Sequence, residues 1–183
     1  MSSICTDHRC ALPRRHLLAI TAGMVAAGSV SHPPAAHAQA APSSPESKEP
    51  PRLALLLGNR DYPNGEDLPP IHKNVRDLRS ALERRGFNCT EGLDLDRASS
   101  RETIERFAQQ VRQAPADATV LFYFSGHGAQ IDAENLLVGA RQWPKARADV
   151  LSNGSLKLSQ DVISLLPRRP QGLTMAVVDA CRT

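Results

Sequence analysis

Thr119-Val120-Leu121-Phe122-Tyr123-Phe124-Ser125-Gly126-His127-Gly128 is the stretch that decides the fold. Its first six residues are β-branched, aliphatic or aromatic with no polar alternation, the pattern of a strand covered on both faces. Small residues and a histidine follow at once, so a polar group is delivered where the strand leaves the sheet. Leu173–Val178 followed by Asp179-Ala180-Cys181 repeats the design, as does Leu53–Leu57 followed by Gly58-Asn59.

Between these runs the period changes. Ile71, Val75, Leu78 and Leu82 recur at helical spacing, after Pro69-Pro70 and before Gly86 as a C-terminal cap. Phe87–Leu95 gives a second, weaker strand, and Ser99-x-x-Glu102 reads as a capping box for a helix with Ile104, Phe107, Ala108 and Val111 on one face. Residues 130–155 read as irregular, with Asn135–Val138 a short strand or hairpin arm. Residues 160–166 read as a short helix stopped by Pro167. Strand and helix alternate, which implies an α/β domain over residues 52–183 with a mainly parallel sheet and helices on both faces. Ligands bind such sheets outside the carboxyl ends of the strands, where Gly58-Asn59, Ser125-Gly126-His127 and Asp179-Ala180-Cys181 converge.

Two of those segments carry chemistry. A cysteine attacks as thiolate, and an imidazole that takes its proton raises the thiolate fraction near neutral pH. Cys181 and His127 are the candidate nucleophile and base. Gly126 and Gly128 remove bulk beside the ring and let a substrate backbone approach. The main-chain N–H groups of Gly128 and Cys181 are placed to hold a developing oxyanion.

The first forty residues differ in kind. Arg14-Arg15 precede the apolar run Leu17–Val30, and Ala38-Gln39-Ala40 forms a cleavage pattern, so residues 1–40 read as a signal peptide and the protein as periplasmic or secreted. The arginine pair also fits the twin-arginine export signal, which leaves both routes open. The run is shorter than the roughly 20 residues a bilayer requires, and no stable membrane anchor is expected. Residues 41–51 are a Pro/Ser-rich linker. Beyond residue 40 remain Cys89 and Cys181, His72 and His127, without the CxxC spacing of a zinc site. A net charge of +3 with 4% aromatic residues and no basic stripe argues against nucleic acid as a partner.

Taken together, Leu57-Gly58-Asn59 with Tyr62, Phe122–Gly128, and Val177-Val178-Asp179-Ala180-Cys181-Arg182 resemble the caspase-like cysteine peptidases, near the bacterial metacaspases and orthocaspases. The resemblance spans residues 53–183, and the histidine precedes the cysteine by 54 residues, close to the family's spacing of about 50. It implies a three-layer sandwich whose four main strands lie in the order 2-1-3-4. It also implies peptide-bond hydrolysis through a Cys181–His127 dyad and a thioester acyl-enzyme, with Gly128 and Cys181 as oxyanion donors and a peptide or protein as substrate. No third catalytic side chain is implied.

The chain departs from its relatives at two places. Metacaspase-like members use two carboxylates to hold a basic side chain at the cleavage position. Asp179 matches one of them, but Asn74 stands where the other would be, with Asp77 almost one turn further on. The sequence also reads as truncated after the cysteine, so that a partner chain or a further C-terminal region would complete the sheet. A catalytically silent binding or assembly module of the same fold is the alternative. Asp132 and Glu134 are carboxylates of the sort that attract calcium, which activates some relatives. Two loop carboxylates are more simply read as solvated, and no cofactor is expected. His72 reads as a solvent-exposed cap, Cys89 as a strand residue too distant for a disulfide to Cys181, and Trp143-Pro144 as a packing anchor.

Overall fold

The computed structural model describes residues 49–182; the expected signal peptide and most of the linker lie outside them. Its first strand, β1 (Arg52–Gly58), is two-faced. Leu53, Leu55 and Leu57 pack into one apolar cluster, while Ala54 and Leu56 pack into another on the opposite side. Period-two alternation of uniformly apolar residues does this: each face of the strand presents carbon, so each must be covered.

Helix α1 (Ile71–Glu83) covers one face through Ile71 and Val75, with Leu78 and Leu82 partly buried beside them. Gly58 permits the close approach, because a Cβ there would lie 2.6 Å from a Val75 methyl. Strand β2 (Phe87–Leu93) pairs with β1 in parallel. Helix α2 (Arg97–Gln113) covers the other face through Ile104, Phe107, Ala108 and Val111. It starts two residues before Ser99, because Asp96 is the N-cap and accepts the Ser99 N–H at 2.8 Å; the expected capping box is replaced by this carboxylate.

Strand β3 (Thr119–Ile131) is longer than its sequence advertises. It runs straight through Ser125-Gly126-His127-Gly128 because its partners change along its length. Thr119–Ser125 pair with β1, and Gly128–Ile131 pair with β4 (Glu134–Val138), antiparallel. The region expected to be irregular holds β4, helix α3 (Ala148–Gly154) and β5 (Ser155–Lys157), which pairs antiparallel with β4. The helix expected at 160–166 is a π-helical turn over Leu158–Ile163. Asp161 pins that turn to α2, accepting from Arg101 at 2.6 Å and from the Lys157 N–H at 2.9 Å.

Strand β6 (Leu173–Arg182) pairs in parallel with β3 over Thr119–Gly128. The main sheet therefore runs β2-β1-β3-β6, the 2-1-3-4 order of the four main strands, with β4 and β5 extending it from the far end of β3. Among the described residues no other strand pairs with β6. Leu173, Met175, Val177 and Val178 are exposed along it.

Candidate active site

Register alone brings the two candidate reactive residues together. Leu93, Gly58, Ser125 and Asp179 form one row across β2, β1, β3 and β6. Two residues further along, His127 of β3 is the register partner of Cys181 of β6. Neighbouring strands lie about 4.8 Å apart and register partners share a face of the sheet. Ala180 packs with the cluster under α2, so alternation puts Asp179 on the α1 side with Tyr123.

The His127 ring is buried, 6% exposed, and its two nitrogens have different surroundings. Nε2 lies 2.8 Å from the main-chain oxygen of Glu66. A carbonyl can only accept, so Nε2 carries the proton and Nδ1 of the neutral ring keeps its lone pair. Nδ1 is buried and meets no hydrogen-bonding group among the described residues. The ring is therefore oriented as a base with one free lone pair.

Tyr62 holds the same residue from a second direction. Its ring meets the imidazole edge-on, centroids 4.5 Å apart at 75°. Its hydroxyl accepts the His127 N–H at 3.1 Å and donates to the Val138 carbonyl at 3.2 Å. Burial pushes this phenol well above its ordinary pKa, so it stays protonated and can donate. Asn59, also buried, donates to the same Val138 oxygen at 3.1 Å and accepts the Leu95 N–H at 3.1 Å, while its own N–H donates to the Ser125 carbonyl at 2.9 Å. Gly126 is glycine because of Tyr62: a Cβ there would stand 2.6 Å from the tyrosine oxygen. The room expected for a substrate at Gly126 is thus filled by the protein itself.

The other expected site residues fall into place unevenly. Gly128 is in register with both Leu137 of β4 and Arg182 of β6, which flank it on the two edges of β3. Asp179 is exposed and accepts the Tyr123 O–H at 3.2 Å. Asn74 is exposed on the first turn of α1, and Asp77 is exposed and bound to Lys73; neither is part of a buried acidic pocket. Glu134 is occupied by Ser159, accepting its hydroxyl and its N–H, the latter at 3.0 Å, and that bonding holds its carboxyl below the ordinary range. Among the described residues, no three His, Cys, Asp or Glu side chains converge as a metal site.

Two expectations need correction. His72 is not an exposed cap: its Nε2 lies 2.7 Å from Asp94 Oδ2 with the side chain 16% exposed. Of Trp143-Pro144, the proline is buried and the tryptophan is 43% exposed, so the anchor is Pro144. The Glu66 carbonyl was not anticipated, since a main-chain acceptor has no residue-type signature. Cys89 is a partly buried residue of β2, its thiol pushed up by burial, and β1 and β3 separate its strand from that of Cys181.

Among the described residues no helix is long and apolar enough to cross a membrane. No curated protein matches the chain in sequence. The model of one family does match, over residues 51–183, and its description is the caspase domain. With the sandwich, the strand order and the matched span in agreement, the chain belongs to the caspase family of cysteine peptidases.

Proposed function

We propose that the protein is a cysteine endopeptidase in which Cys181 is the nucleophile and His127 its general base. Nδ1 of His127 takes the thiol proton, and the thiolate attacks the scissile carbonyl. The oxyanion falls to the main-chain N–H groups of Gly128 and Cys181. The imidazolium then returns its proton to the leaving amine, and water attacks the thioester by the same route. The observation that carries this reading is the His127 ring, fixed through Nε2 by the Glu66 carbonyl with Nδ1 unpartnered among the described residues, on the register partner of Cys181.

A preference for arginine or lysine at the cleavage position follows from Asp179, weakened by the amide at Asn74. Residues 1–40 would export the protein to the periplasm or beyond. A second reading, a binding module without catalysis, draws on the exposed apolar residues of β6.

Labelling of the full chain with an arginyl chloromethylketone separates the two. Cys181→Ala is expected to abolish labelling and Cys89→Ala to leave it intact. Equal labelling of both variants would overturn the nucleophile assignment, and no labelling of the wild type would favour the binding module.

A further inference from the structure

Asp94 follows β2 in a left-handed conformation, with φ +49°, and its N–H donates to the Gly58 carbonyl at 2.9 Å. One oxygen of its carboxylate takes two main-chain donors. Oδ1 accepts the N–H groups of Arg60 at 2.7 Å and Asp61 at 3.0 Å, while Oδ2 lies 2.7 Å from His72 Nε2 in a close contact that is not aligned as a hydrogen bond. One side chain thus ties the segment leaving β1 to the end of β2 and to the first turn of α1. Charge-assisted bonds of this sort are roughly twice as strong as neutral ones.

That segment closes on itself. The Leu68 N–H donates to the Arg60 carbonyl at 2.9 Å, and the Tyr62 N–H donates to Asp67 Oδ1 at 2.7 Å. Both groups that hold His127, the Tyr62 hydroxyl and the Glu66 carbonyl, lie inside the loop so closed. Arg60 and Asp61 are its entry, so any shift there passes to both contacts at once.

We propose that Asp94 and His72 are positioning residues for His127: acting through the loop of residues 60–68, they fix the tautomer and direction of its imidazole. The pair never touches the ring. Asp94 sets the height of the loop over the sheet, and His72, packed against the second carboxylate oxygen, limits the rotation that would turn the first away from the two N–H groups. The role in catalysis rests on His127 being the base; the structural coupling does not.

The test uses the full chain with 15N-labelled histidine, its His127 signals assigned by comparison with His127→Gln. In the wild type His127 is expected as a single Nε2–H tautomer. Asp94→Ala should convert it to a mixture, and Asp94→Asn, which keeps an acceptor for both N–H groups, should restore the single form. An unchanged His127 pattern in a folded Asp94→Ala overturns the proposal. Should that variant not fold, His72→Ala carries the same test: loss of the single tautomer supports the coupling and its retention overturns it. In peptidase assays Asp94→Ala is expected to lower kcat by about 10–100-fold with KM little changed, the size of effect a misplaced catalytic group produces. A wild type that does not cleave or label speaks against the peptidase reading alone, since the tautomer is read without turnover.

Discussion

Tyr62→Phe deletes a hydroxyl that accepts the His127 N–H at 3.1 Å and donates to the Val138 carbonyl at 3.2 Å. The carbonyl keeps a partner, because Asn59 Nδ2 also donates to it at 3.1 Å. The His127 N–H keeps none that the surrounding bonds provide, and Tyr62 is only 5% exposed, so water does not easily replace the oxygen. The ring and its buried area are unchanged. The cost is thus one orphaned buried donor, about 1–3 kcal/mol. For a domain of this size about 2 kcal/mol corresponds to a fall in Tm of about 8 °C. Urea unfolding and calorimetry of wild type and variant measure both, with an unchanged m-value showing that the native state retains its compactness. A stability change below about 0.5 kcal/mol, the range of surface substitutions, would refute the inference that this hydroxyl satisfies the His127 main chain.

Gly126→Ala places a methyl 2.6 Å from the Tyr62 oxygen and 3.0 Å from Phe124 Cζ. It is expected to destabilise at least as much as Tyr62→Phe, and the double variant by less than the sum, since the hydroxyl in its way is gone; strict additivity in urea unfolding would count against the crowding. Arg101→Ala removes the 2.6 Å partner of Asp161, whose side chain is 5% exposed. With Arg97 still 3.7 Å away, a loss of about 2 kcal/mol is expected, below the 3–5 of a fully broken buried pair. Arg97→Ala should cost less than half as much. Asp96 accepts the Ser99 N–H, and that bond lowers its carboxyl below the ordinary value. Its contribution is present above the unfolded value of about 3.9 and is lost as the pH falls through the depressed folded value. Asp96→Ala is expected to cost about 1 kcal/mol at pH 7 and to flatten the acid limb of a stability–pH curve.

What the sequence announces are the elements built from long apolar runs. Leu53–Leu57 and the α1 and α2 stripes are each committed by burial on a definite face, whereas Leu173–Val178 is strand through its pairing with β3 and stays exposed. The far half of β3 is silent, because Ser125-Gly126-His127-Gly128 has the composition of a loop and becomes strand only through β6 and then β4 pairing alongside it. β5 is three residues long and owes its form to β4. The site divides in the same way. The meeting of His127 and Cys181 follows from strand ends and chain order, whereas the groups that hold the ring are a carbonyl and a hydroxyl on a loop whose path no periodicity encodes. Asn74 lies on α1, where the helical spacing before Gly86 puts it, and its side chain is exposed.

The pairing of β3 with β6 has a consequence of the all-or-none kind. Side chains alternate along a strand, so sliding β6 by one residue would bring Ala180 or Arg182 opposite His127 in place of Cys181. There is no partly assembled arrangement between these. The Tyr123–Asp179 bond at 3.2 Å, with Asp179 two residues before Cys181, ties β6 to β3 in the observed alignment. An acid two residues ahead of the cysteine thus works as an index mark for the strand, whatever else it binds.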